Sequence, residues 1–129
     1  MGKSPEYKWN TKNILVVEDD ESSAFLLGEI LKETGARIDY TSDGEGAIEY
    51  IRQHPDTDLI LMDVHLPQKD GFTATREIKS FASNVVVLAQ TAYALSSNHQ
   101  EAMEAGCDGF MTKPLRPALL LDKMDGFLS

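Results

Sequence analysis

Two apolar runs in this chain end in carboxylates. Ile14-Leu15-Val16-Val17 runs into Glu18-Asp19-Asp20, and Leu59-Ile60-Leu61-Met62 ends at Asp63. If the runs are neighbouring parallel strands, their C-terminal ends gather Glu18, Asp19 and Asp63 in one crevice, where a cation must relieve the mutual repulsion. Two further runs add a hydroxyl and an ammonium: one leads to Gln90-Thr91-Ala92, the other to Thr112-Lys113-Pro114. A carboxylate nucleophile, carboxylates for a hard cation, and a hydroxyl and an ammonium for phosphoryl oxygens form a set suited to phosphoryl transfer. Residue type alone leaves plainer readings open. Thr91 could be a β-branched strand end and Lys113 a solvated surface lysine. Against these stand the strand-end position of Lys113 before Pro114 and the small Ala92 beside Thr91, which leaves a path for a bulky donor.

The elements that must position these residues follow from the pattern. Short apolar runs alternate with helical periodicity, which signals βα units and a parallel sheet. Five units fit, with strands at about 13–17, around Ile38 and Tyr40, 58–62, 85–89 and 107–111. The first helix spans about 21–34, with Ala24, Leu27 and Leu31 on one face and Gly35 as its stop. Ala47, Ile48 and Ile51 mark a second helix after an Asp43-Gly44 turn and before Pro55; Ala74, Ile78 and Phe81 mark a third. A fourth helix lies at about 96–105, closed by Gly106, and Leu120, Met124 and Phe127 mark the last. The third and fourth strands read as fully buried. The expected fold is an α/β doubly wound five-stranded parallel sheet with five helices, and ligands then sit beyond the C-terminal strand ends. In the loop after Asp63, Pro67 and Asp70-Gly71 read as a constrained turn, with Gly71 a candidate for a positive backbone angle.

Composition narrows the function. The 129 residues fit one domain with one ordinary core, at 42% apolar content. With 12 basic and 21 acidic residues the net charge is −9, which disfavours a broad nucleic-acid surface and favours protein partners. The single cysteine, Cys107, reads as a buried small hydrophobe. No apolar stretch approaches the ~20 residues of a membrane span, and the first residues have no signal-peptide core, so a cytoplasmic protein with no direct membrane contact is expected. His54 and His99 read as surface residues, and the three histidines form no zinc pattern. Asp20 reads as the cap of the first helix, although a register using Asp19 and Asp20 as the acidic pair stays open. Residues 1–10, with Tyr7 and Trp9, read as an N-terminal extension or linker, Trp9 packing locally on the domain at 11–129.

Glu18-Asp19, Asp63, Thr91 and Lys113-Pro114, at the ends of the first, third, fourth and fifth strands, resemble the receiver domains of two-component response regulators. Met62-Asp63-Val64-His65-Leu66-Pro67, Asp70-Gly71, Thr91-Ala92-Tyr93-Ala94 and Ala105-Gly106-Cys107-Asp108-Gly109-Phe110 look most like receivers of hybrid sensor histidine kinases. The resemblance implies a flavodoxin-like three-layer sandwich. It also implies that Asp63 is the phosphoacceptor, Glu18 and Asp19 belong to a Mg2+ site, Thr91 and Lys113 bind the phosphoryl group, and Phe110 is an aromatic switch that turns inward as Thr91 moves. A cis bond at Lys113-Pro114 is implied as well. Mg2+ favours octahedral oxygen ligands, so Asp19, Asp63 and the His65 carbonyl are expected as direct ligands, with Glu18 acting through water. His65, two residues after the acceptor, is expected to influence the aspartyl-phosphate sterically or by hydrogen bonding rather than as a base. The expected partner is a histidine kinase or a histidine phosphotransfer protein, met through the fourth and fifth helices, with a homodimer through the same face as an option. Such a chain is no dedicated enzyme but promotes its own phosphorylation and dephosphorylation. It ends after the last helix with no output domain expected, and stands alone or belongs to a larger kinase.

Three other readings compete. A Mg2+-dependent phosphatase of the haloacid dehalogenase type also uses a strand-end Asp nucleophile, but its second aspartate would fall at position 65, which is His65. A phosphate-independent receiver-like interaction module would not need all the strand-end residues. A flavodoxin-like cofactor carrier would need a phosphate-cradling loop where this chain has Glu18-Asp19-Asp20.

Overall fold

Strands and helices alternate along the chain in a computed structural model that describes residues 7–66, 68–92, 96–113 and 116–128. In chain order they are β1 (Asn13–Val17), α1 (Glu21–Lys32), β2 (Arg37–Thr41), α2 (Gly44–Gln53), β3 (Leu59–Asp63), α3 (Gly71–Phe81), β4 (Val86–Thr91), α4 (Ser96–Ala105), β5 (Gly109–Thr112) and α5 (Pro117–Leu128). All strand pairs are parallel, and the sheet order is β2-β1-β3-β4-β5. The chain therefore reverses direction across the sheet between β1 and β3, and this switch point is where a crevice opens at the C-terminal strand ends.

Alternation along the strands divides the core in two. Leu15, Val17, Ile60, Met62, Val87 and Ala89 face α2, α3 and α4, meeting Ala47, Ile48, Ile51, Ala74, Ile78, Ala102 and Ala105. Ile14, Val16, Leu59, Leu61 and Leu88 face α1 and α5, meeting Leu27, Leu31, Leu120, Met124 and Leu128. Trp9 joins this second cluster at 3% exposure, and its indole Nε1–H donates to Asp125 Oδ1 at 3.2 Å. Cys107 is buried, and burial pushes its thiol up to about 11.

The expected boundaries shift in ways that matter. β3 runs one residue farther than expected, so Asp63 is its last residue rather than the first of the loop. β4 takes in Gln90 and Thr91, because its ladder continues through Asp63↔Gln90 and Thr91↔Thr112. β5 begins at Gly109, and Cys107 instead closes the turn after α4 by donating its N–H to Ala102. α1 stops at Lys32, followed by Gly35 at φ +82°. The Asp-Gly pairs expected as turns are helix starts: Asp43 accepts from Gly46 N–H and Asp70 from Thr73 N–H, each capping the helix it precedes. Phe81 is not a core residue; it is 39% exposed, with the Arg52 guanidinium 4.3 Å above its ring. His54 is half-buried rather than at the surface, stacked on Tyr50 at 4.1 Å. Pro67, Tyr93, Ala94 and Pro114, with the bond joining Lys113 to Pro114, lie outside the described residues.

Candidate functional site

Register brings the carboxylates together. Val17 pairs with Met62, so the next residues, Glu18 and Asp63, stand side by side at the crevice. Oxygens of Glu18, Asp19 and Asp63 lie within 4.8 Å of one another. Glu18 and Asp63 are each 4% exposed, whereas Asp19 faces solvent. The Lys113 Nζ reaches across from β5 to Glu18 Oε1 at 3.0 Å and Asp63 Oδ2 at 3.6 Å. Burial, and then the neighbouring Asp63, raise the Glu18 carboxyl above the ordinary glutamate value, with Lys113 pulling the other way. For Lys113 burial works against the charge, but the Glu18 hydrogen bond and the Asp63 charge outweigh it and raise its pKa.

Three carboxylates converging on one point, two of them buried, suit a hard divalent cation with oxygen ligands. Asp20 is outside this group. Its carboxylate accepts from Ser23 N–H and Ser23 Oγ–H, both at 2.8 Å, and these bonds lower its pKa. The cap therefore occupies Asp20, and the carboxylates that converge are those of Glu18, Asp19 and Asp63.

The loop after β3 is folded back on the carboxylate. His65 N–H donates to Asp63 Oδ1 at 2.9 Å, and Gly71 N–H donates to Val64 O at 3.0 Å. Gly71 is needed here for close approach, not for the positive angle expected of it, which belongs to Gln68 at φ +65°. A Cβ at position 71 would lie 2.3 Å from the Asp63 carbonyl oxygen. Gly71→Ala is therefore expected to destabilise the fold by about 1–3 kcal/mol by overpacking against backbone. Urea titration measures this, and an unchanged midpoint would show that the loop yields freely.

Thr91 is fully buried at the end of β4, and its Oγ lies 3.0 Å from His65 Nε2. Lys113 N–H donates to Thr91 O at 2.7 Å, tying β5 to β4 at the crevice. Phe110 is half-buried against the α2–α4 side of the core, its ring 5.5 Å from that of the exposed His99 on α4. Thus Thr91 and Phe110 lie on the side of the sheet that faces α4, while Glu18, Asp63 and Lys113 face one another across the crevice. The His65–Thr91 bond joins residues 26 apart in sequence, and no sequence pattern signals it.

The sequence profile of the response regulator receiver domain matches residues 14–125. The chain belongs to that family. This receiver domain is 34% identical over 118 residues to the chemotaxis protein CheY of Halobacterium salinarum, covering 92% of this chain and 98% of that protein. It is 37% identical over 114 residues to hybrid signal transduction histidine kinase M of Dictyostelium discoideum, covering 84% of this chain but only 5% of that protein. Among solved structures, the receiver domain of sensor histidine kinase PA1611 from Pseudomonas aeruginosa superimposes with a TM-score of 0.84 at 31% identity, covering 91% of this chain and 97% of that one. That structure holds a magnesium ion in its active-site cleft. The fold is accordingly flavodoxin-like, and the receiver domain is a component of two-component signalling. Among the described residues no helix is long and apolar enough to cross a membrane.

Proposed function

We propose that this receiver domain accepts a phosphoryl group on Asp63 from a phosphohistidine, in a Mg2+-dependent step of a cytoplasmic phosphorelay, and that the modification switches a protein-interaction surface. The observation that carries the reading is Lys113, whose ammonium stands between Glu18 and Asp63 in a crevice too acidic to need only one cation. A histidine kinase or histidine phosphotransfer protein is the donor. An Asp63 oxygen attacks phosphorus, the P–N bond breaks, and its electron pair leaves on the donor imidazole nitrogen. Mg2+, held by Asp19, Asp63 and the His65 carbonyl with Glu18 acting through water, would supply charge cancellation between Asp63 and the phosphoryl oxygens.

Lys113 changes partner during transfer, from the carboxylates to a phosphoryl oxygen. Thr91 binds another phosphoryl oxygen, for which its hydroxyl must reorganise from its resting contact with His65. Its movement frees space for Phe110, whose ring leaves His99 and alters the surface made by α4, β5 and α5. That surface exposes Met103 and Leu119, apolar side chains a partner or a second copy would cover. The phosphatase reading lacks support, because its acid position carries His65, which bonds Thr91.

Incubation with acetyl phosphate and Mg2+ is expected to add one phosphoryl mass to the intact protein, and excess chelator to prevent it. Labelling retained in chelator would refute the metal role. Rapid multiple turnover of a generic phosphomonoester would instead favour the phosphatase.

A further inference from the structure

Gln90, beside the site, has no task in the steps above. It is 1% exposed, and among the described residues neither its Oε1 nor its Nε2 has a hydrogen-bond partner. Leaving a buried polar group unpaired is costly, and an apolar side chain of the same shape would avoid that cost. The preceding β4 residues, Val86-Val87-Leu88-Ala89, are all apolar, so packing alone gives no reason for an amide here.

The register gives one. Gln90 pairs with Asp63 on one side and Met111 on the other, so its side chain leaves the sheet on the same face as that of Asp63. Lys113 lies just beyond β5, yet its ammonium reaches Asp63 on β3 and Glu18 beyond β1. Since β4 lies between β5 and β3, the lysine crosses the end of β4, the strand that carries Gln90. An ammonium has three N–H donors. The hydrogen bond to Glu18 uses one, and the 3.6 Å contact with Asp63 is Coulombic.

We propose that Gln90 is a positioning residue for Lys113: its amide oxygen accepts an ammonium N–H once Glu18 is engaged by the cation and Lys113 turns to the phosphoryl group on Asp63. The inference rests on the phosphoacceptor reading. A neutral acceptor suits the task. A carboxylate at position 90 would compete with the phosphoryl group for the ammonium, and an apolar side chain would let it swing.

Gln90→Met and Gln90→Leu keep the volume and remove the amide. Expected are an unchanged or higher melting temperature without ligand, unchanged Mg2+ affinity, and a smaller rise in melting temperature with Mg2+ plus beryllofluoride. Labelling at saturating acetyl phosphate should slow about tenfold, the loss of one hydrogen bond to a charged group. In wild type the Gln90 side-chain amide signal should shift on beryllofluoride loading. Wild-type labelling and loading in both variants, or an unmoved amide signal, would overturn the proposal even if the variants fold poorly. A wild type that takes no label and gains no stability from beryllofluoride would bring down the phosphoacceptor reading, and this proposal with it.

Discussion

Asp63→Asn is expected to abolish labelling by acetyl phosphate while making the unliganded protein more stable. The two effects share a cause. Asp63 is a buried carboxylate, 4% exposed, beside a second one at Glu18, and only Lys113 stands between them among the described residues. Replacing the carboxylate by an amide removes the nucleophile, so labelling falls by about a thousandfold or more. It also removes a like charge from the side of Glu18, whose pKa burial, and then Asp63, hold above the ordinary value. The amide oxygen can still accept the His65 N–H that now bonds Asp63 Oδ1, so the loop keeps its anchor. Intact mass and thermal melting, measured on the same samples, check both halves. Equal labelling of variant and wild type would move the acceptor elsewhere. A fall in melting temperature would show that the lysine pairing outweighs the repulsion.

The five alternating βα units and the acidic crevice were legible because parallel strands buried on both faces need apolar runs, and a charged residue can stand only where such a run ends. Glu18, Asp63, Thr91 and Lys113 are each at or next to a strand end for that reason. What the pattern could not give was the last residue of each strand, since hydrogen bonding rather than hydrophobicity decides it. Asp63, Gln90 and Thr91 are ladder residues despite being polar. Asp43-Gly44 and Asp70-Gly71 read as turns because the same dipeptide serves turns and caps, and only the N–H of the third residue on tells them apart. The His65–Thr91 contact and the crossing of Lys113 over β4 arise between distant segments, where local pattern carries no information. Gln90 was visible as a polar residue after an apolar run, but its burial and its unpaired amide required the third dimension.

Lys113→Ala is expected to separate the electrostatic role of the lysine from its role in transfer. The side chains of Glu18 and Asp63 are 1% and 5% exposed, so removing their shared cation leaves buried charge uncompensated and costs about 3 kcal/mol near neutral pH. The pH dependence has a definite sign. The folded pKa of Glu18 is raised, so its contribution to stability is complete below the ordinary glutamate value and is lost as pH rises through the folded value. Lys113 is also raised, so its own contribution is complete below the ordinary lysine value and is lost as pH rises from there through the folded value. Without ligand, wild-type stability should therefore decline as pH rises from the ordinary glutamate value. In the variant the lowering influence of Lys113 on Glu18 is gone, so the decline should extend to higher pH. Saturating Mg2+ supplies positive charge to the same carboxylates and should restore much of the lost stability at neutral pH. It cannot replace an ammonium on the phosphoryl oxygens, so labelling should stay down by on the order of a hundredfold. Melting curves across pH, with and without Mg2+, together with labelling rates, test the separation. Full recovery of labelling by Mg2+ would mean that Lys113 only balances charge, and an unchanged pH profile would mean that it does not shape the Glu18 titration.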